Sequence, residues 1–256
     1  MVEAGPPLLE VENIEKRFGG VRALQGVSLS IAEGETVALV GDNGAGKSTL
    51  VKAIAGVQPA DTGTIRLRGR DVAIRSAKDA GALGVEVLYQ DLALANTLDV
   101  AANVFLGDEP LWLKLGWFSV PDTRRMDSET AVTLDRLRID IPDPKRPVAN
   151  LSGGQRQAVA IGRTIRRGRR ELLILDEPTA ALGVEEVRKV LALLRSLRDE
   201  GQTMIIVSHD LEHVFQVSDR IAVMRQGRVQ AVVRTGEVTK TDIVRLIVGD
   251  IEDAVA

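Results

Sequence analysis

The chain has 256 residues, a length that suits one large domain or one domain carrying a small subdomain; at 45% hydrophobic and 27% charged it has the make-up of a globular protein with a sizeable core. Its 33 basic and 36 acidic side chains leave a net charge of -3, which offers no general attraction to nucleic acid or anionic lipid. Cysteine is absent, which excludes disulfides, thiolate metal sites and cysteine nucleophiles.

The acidic start lacks the basic head and apolar run of a signal peptide, and no stretch approaches the ~20 apolar residues that span a bilayer. A cytoplasmic location is expected, with any membrane contact made through a partner. Residues 8–14 alternate like a half-buried strand and 21–31 read as a second, so the two are expected in an antiparallel sheet at the edge of the fold. Residues 35–40 form a short apolar run ending in glycine, which suits a buried parallel strand, and 47–55 have helical composition. Further buried strands are expected at 85–89, 172–175, 203–207 and 221–224, with helices at 184–198, stopped by Gly201, and at 240–248. Between about residues 91 and 170 the strand signals fade, while 123–137 and 155–167 read as helices and Pro142, Pro144 and Pro147 mark a loop. The expected fold class is α/β, in a single domain. Residues 1–90 and 171–256 form its core with an antiparallel β edge, and about 91–170 form a mostly helical subdomain.

The run Gly41-Asp42-Asn43-Gly44-Ala45-Gly46-Lys47-Ser48-Thr49 fits GxxxxGK[ST] and lies between a buried strand and a helix, the context that motif requires. Glycines let consecutive backbone N–H groups turn inward around phosphate oxygens, and the helix starting at Lys47 adds its positive dipole end. Lys47 can reach the β- and γ-phosphates, and the Ser48 hydroxyl is placed to ligate Mg²⁺. Downstream, Leu172-Leu173-Ile174-Leu175 delivers Asp176 and Glu177 at the C-terminal end of a buried strand, where open α/β sheets bind ligands. Asp176 is expected to hold Mg²⁺ through water. Glu177 is expected to polarise the water that attacks the γ-phosphate.

Leu151-Ser152-Gly153-Gly154-Gln155-Arg156-Gln157 opens a helix with a serine and two glycines, offering a hydroxyl and free N–H groups to an anion. The run resembles the signature of the ATP-binding cassette (ABC) ATPases, and the resemblance covers nearly the whole chain. It implies a P-loop NTPase core, an antiparallel β subdomain and a helical signature subdomain. It also implies that Gln90, in Tyr89-Gln90-Asp91, senses Mg²⁺ and the γ-phosphate. By the same likeness His209, in Ser208-His209-Asp210, contacts the γ-phosphate, and Phe18 stacks on adenine. The cofactors implied are ATP and Mg²⁺. A head-to-tail homodimer follows, in which Ser152, Gly153, Gly154 and Gln155 of one copy complete the phosphate loop of the other.

One departure stands out. After Pro178 the family usually has Ser-Ala-Leu-Asp, whereas here the run is Thr179-Ala180-Ala181-Leu182-Gly183. Gly183 replaces the Asp that helps set the dimer interface. His209 and His213 stand four apart, a spacing that binds zinc on one helix face, but His209 is expected to end a strand, so the spacing does not apply. Arg163, Arg166, Arg167, Arg169 and Arg170 read as charges complementing a helix C-terminus rather than as a nucleic-acid patch.

Glu177-Pro178-Thr179-Ala180-Ala181-Leu182-Gly183-Val184 resembles the monosaccharide-importing branch of the family. So do Lys16-Arg17-Phe18-Gly19-Gly20-Val21-Arg22-Ala23-Leu24 and Val100-Ala101-Ala102-Asn103-Val104-Phe105-Leu106-Gly107. Many members carry two cassettes; this chain is similar to the single-cassette, fructose-type form. The likeness implies an ATPase coupled to sugar import, with a membrane permease as direct partner and an extracytoplasmic sugar-binding protein as indirect one, placed peripherally on the inner face of the cell membrane. The alternatives are an ATPase of a branched-chain amino-acid importer and a non-transport ABC ATPase acting in DNA repair or translation. Trp112, Leu113, Leu115, Trp117 and Phe118 cluster past Gln90 and read equally as a permease-docking surface or a local mini-core.

Overall fold

The computed structural model describes residues 7–115, 118–137, 139–141, 143–166 and 170–250. In chain order, β1 (Pro7–Phe18), β2 (Val21–Ala32) and β3 (Thr36–Gly41) precede α1 (Lys47–Ile54), followed by β4 (Thr62–Leu67), β5 (Arg70–Asp71), α2 (Ala77–Ala82) and β6 (Val85–Leu88). Next come α3 (Val100–Phe105), β7 (Leu111–Leu115), β8 (Phe118–Pro121), α4 (Thr123–Arg136) and α5 (Gly153–Ile165). The chain continues through β9 (Leu172–Asp176), α6 (Val184–Asp199), β10 (Met204–Val207), α7 (Leu211–Val217), β11 (Arg220–Arg225), β12 (Arg228–Arg234) and α8 (Lys240–Val248).

Two compact units result: one comprises Met1–Tyr89, Arg170–Pro178 and Leu197–Ala256, the other Gln90–Arg169 and Thr179–Ser196. The sequence boundaries left residues 179–196 with the core, whereas the packing groups them with the helical unit.

In the first unit a four-stranded sheet has the order β2-β1-β4-β5 and a six-stranded sheet the order β12-β11-β3-β10-β9-β6. In the larger sheet β11, β3, β10, β9 and β6 run parallel and β12 closes one edge antiparallel to β11. Parallel strands covered on both faces need apolar residues in unbroken runs, and β3 and β10 are buried at every position. Alternate residues of β3 feed two cores. Val37 and Leu39 pack with Leu9, Val27, Leu50 and Ile174 toward the antiparallel sheet, while Ala38 and Val40 pack with Val214, Ile221, Ile243 and Leu246. Val207 ends β10 and pairs with Asp176, the end of β9, and with Leu39, two residues before β3 ends, so the loops after the three strands leave the same rim of the sheet.

The second unit has its own core of Val100, Val104, Phe105, Met126, Leu134, Val148, Leu151 and Val159. Side-chain caps start its helices: Asp99 on α3, Asp122 on α4 and a Ser152–Gln155 capping box on α5. Asn103 is fully buried inside α3 yet satisfied, with Oδ1 accepting from the Ala95 N–H at 2.7 Å and Nδ2 donating to Ala95 and Asp99 carbonyls at 3.0 and 2.9 Å.

The sequence showed only helices in this stretch; the structure adds the β7–β8 hairpin, in which Leu113 pairs with Val120 and Leu111 with Pro121 across a register irregularity. Trp112 is 73% exposed on that hairpin, so it does not belong to a local core; Trp117 lies outside the described residues. Among the described residues no helix is long and apolar enough to cross a membrane.

Candidate functional site

The phosphate-loop residues leave the end of β3 and enter α1. Gly41 has φ +148°, and a Cβ there would lie 2.1 Å from the Met224 carbonyl oxygen, so the strand can pass β11 only as glycine. Gly46 is the N-cap of α1 at φ +104° and provides no side-chain cap. First-turn N–H groups of α1 are therefore left without a capping side chain, which is what an anion site at a helix N-terminus requires. Lys47, 9% exposed, donates its ammonium to the carbonyls of Gly41 at 2.7 Å and Asp42 at 3.0 Å. Burial pushes the Lys47 pKa down, against the opposing pull of Glu177, Asp42 and Asp176.

Asp176 ends β9 and Glu177 follows it, on the same rim. Burial, and then the neighbouring Glu177 charge, raise the Asp176 carboxyl above the ordinary carboxylate range, while Lys47 and Lys52 pull it back. Glu177 adopts φ 52°, a left-handed backbone rare for a non-glycine residue, and its N–H donates to the Val207 carbonyl at 2.9 Å. That turn aims its side chain at His209: Nδ1 of the imidazole lies 2.8 Å from Oε1 of Glu177. His209 lies in the loop after β10, outside α7, and His213 of α7 sits 3.4 Å from its own partner Asp210. Sequence reasoning kept the two histidines apart, and the structure separates them by element.

The donors fit a hard divalent cation. Asp176 and Ser48 offer only oxygen, and a partly buried carboxylate raised by burial and by a second carboxylate beside it is relieved by added positive charge. The Tyr89 hydroxyl is buried with no hydrogen-bond partner in the structure, and burial and the Asp176 charge both push it up.

Phe18 is 44% exposed at the β1–β2 hairpin tip, with the Lys16 ammonium 5.8 Å from its ring centroid. Gln90 begins the second unit as an exposed residue.

Also in the second unit, Ser152 Oγ accepts the Gln155 N–H at 3.3 Å and the Gln155 side chain accepts the Ser152 N–H at 3.1 Å. The N–H groups expected to be free at this helix start are partly taken. Glu186 of α6 accepts the Gly183 N–H at 3.1 Å, and its side chain lies close against Gly153 and Gly154, with the Ser152 hydroxyl and the Gly154 N–H beside its carboxylate. These donors hold the Glu186 carboxyl below its ordinary pKa, the Ser152 hydroxyl most strongly. Sequence reasoning missed Glu186. The one local signal was an acid three residues past Gly183, which is where a helix takes back the N-cap N–H. Arg163 donates to the carbonyls of Leu92 at 2.8 Å and Ala93 at 3.0 Å, and Arg166 lies 4.0 Å above the Phe105 ring, so both hold their own unit together. Arg167 and Arg169 lie outside the described residues.

Residues 24–180 match the family model described as "ABC transporter". The xylose/arabinose import ATP-binding protein XylG of Sulfolobus acidocaldarius is 44% identical over 225 residues, covering 87% of this chain and 86% of that protein. The fructose import ATP-binding protein FrcA of Rhizobium meliloti is 40% identical over 249 residues, 96% of this chain and 95% of that protein. Among solved structures, a nucleotide-free ATP-binding cassette from an ABC transporter superposes with a TM-score of 0.81 at 26% identity, covering 96% of each chain. A dimeric cassette in a post-hydrolysis state bound to ADP and Pi superposes with a TM-score of 0.70 at 25% identity, over 89% of this chain and 98% of that one.

Proposed function

Because the chain belongs to the ABC transporter family, we propose that it is the ATP-binding and ATP-hydrolysing subunit powering import of a monosaccharide through a membrane permease. The observation that carries this reading is the gathering of Lys47, Asp176, Glu177 and His209 in one unit, at the C-terminal edge of adjacent parallel strands. The match over most of the length of relatives named for xylose/arabinose and fructose import supports the substrate class.

The steps combine the geometry of the site with the roles the family likeness implies. The phosphate-loop N–H groups receive the triphosphate, and Lys47 exchanges its contacts with the Gly41 and Asp42 carbonyls for β- and γ-phosphate oxygens. Phe18 stacks on adenine. Glu177 accepts the proton of the attacking water, while His209 holds its Oε1 and reaches the γ-phosphate. Ser48, Asp176 and Gln90 would hold Mg²⁺, which would neutralise phosphate charge.

The chain carries one phosphate loop and one signature run, so a complete site takes two copies arranged head to tail, Ser152 to Gln155 of one facing the phosphate loop of the other. The dimeric, ADP-bound cassette of the same fold supports that arrangement. The permease holds the subunit at the inner face of the membrane, and a sugar-binding protein outside acts on it indirectly.

The test is uptake of labelled pentoses and hexoses by native cells carrying Glu177→Gln in place of the wild-type chain. Loss of uptake of one sugar class is expected. Unchanged sugar uptake with lost branched-chain amino-acid uptake would contradict the reading.

A further inference from the structure

Two helix starts in the second unit converge on one carboxylate. Glu186 accepts the Gly183 N–H at 3.1 Å at the start of α6, and its carboxylate lies against the start of α5, where the Ser152 hydroxyl and Gly154 N–H favour its charged form. The approach is close: a Cβ on Gly154 would lie 2.8 Å from Glu186 Cβ, and one on Gly153 would lie 3.3 Å from Glu186 Oε2. The carboxylate therefore already sets a negative charge at the helix start that would receive a phosphate of the second copy. Two anions cannot share this helix start without strong repulsion.

We propose that Glu186 is a built-in competitor for the anion site of the signature run, occupying it until the triphosphate bound to a second copy displaces it. The inference rests on the proposed head-to-tail arrangement and deepens it: the ATP concentration at which two copies close is set partly by this carboxylate. A cavity of about 290 Å³, lined by Asp140, Ser152, Gln155, Glu186 and Lys189 among others, adjoins the contact. It leaves room for the Glu186 side chain to swing, and Lys189, one turn further along α6, offers the displaced carboxylate a cation. A ligand shifts an equilibrium only by its differential affinity for the two states, so removing the competitor must lower the ATP needed for closure without changing how a single copy binds ATP.

The experiment uses the full chain with Glu177→Gln, which slows turnover, alone and combined with Glu186→Gln or Glu186→Ala. Sedimentation measures dimer formation against ATP-Mg²⁺ concentration, and a fluorescent ATP analogue measures binding to the dilute monomer. Glu186→Gln keeps an acceptor oxygen for the Gly183 N–H, so it guards against loss of fold in the alanine variant; melting temperatures check both. The expected result is a half-maximal ATP concentration about three- to tenfold lower in both double variants, with monomer affinity unchanged. An unchanged or higher half-point in folded variants would overturn the proposal and leave Glu186 as a helix cap. A parent chain that binds ATP and stays monomeric at every concentration would sink the head-to-tail reading itself, and the inference with it.

Discussion

Nδ1 of His209 lies 2.8 Å from Oε1 of Glu177, a contact joining the loops that follow β10 and β9. The Glu177 backbone holds φ 52° to make it, tied by its N–H to Val207. Such a conformation costs about 1–3 kcal/mol and persists only where its surroundings enforce it. If Glu177 is the base, Glu177→Gln lowers ATP turnover by about 10²–10⁴ while nucleotide affinity is kept. His209→Ala, which removes the group holding Oε1, lowers kcat with little change in KM. Single-turnover hydrolysis and equilibrium binding check both, and near-normal hydrolysis in Glu177→Gln removes that residue from its role.

Lys47 has its ammonium buried against two carbonyls of its own loop. Lys47→Ala is expected to abolish measurable ATP binding, since no other cation of the loop stands in for it. It should leave the fold intact, because burial already disfavours the charge that is removed. Calorimetric titration with ATP, alongside the melting temperature, reads both effects.

Asp176 yields a pH prediction. Its folded-state pKa is raised, first by burial and then by Glu177, so the folded chain holds this proton more readily than the unfolded chain does. Above that raised pKa the ionised carboxylate costs stability, and the cost disappears as pH falls below the unfolded value. Asp176→Asn therefore raises the melting temperature of the nucleotide-free protein at pH 7. The gain shrinks steadily on acidification, and thermal melts across pH measure it. A gain that grows toward acid pH would contradict the assignment.

Gly154 is fixed by packing. Glu186 Cβ would stand 2.8 Å from an added methyl, so Gly154→Ala forces α5 and α6 apart and is expected to cost about 1–3 kcal/mol, read by chemical denaturation. Trp112 is the opposite case. It is 73% exposed, so Trp112→Ala should change stability by less than about 0.5 kcal/mol. If the hairpin docks the permease, that variant loses co-purification with it and keeps its melting temperature.

Much of the active rim was legible in the sequence because its signals are local. The phosphate loop is a contiguous run, and β3, β9 and β10 announce themselves as unbroken apolar stretches. Other parts escaped for identifiable reasons. β4–β5 and β11–β12 are joined at Arg68-Gly69 and Gln226-Gly227, turns with positive φ at both residues, but neither carries the Asn-Gly or Asp-Gly pair that advertises such hairpins. The β7–β8 hairpin sits in a segment whose dominant periodicity is helical. Glu186 meets Ser152 across more than thirty residues of chain, and no spacing rule links two such positions before α5 and α6 pack.

The central claim is tested most directly by affinity purification of the Glu177→Gln chain, with ATP, from detergent-solubilised native membranes, followed by mass spectrometry of the co-purifying chains. The account predicts a multi-span permease, with a sugar-binding protein in the same complex. Ribosomal or DNA-repair partners, with no membrane protein, would contradict it and leave only the ATPase standing.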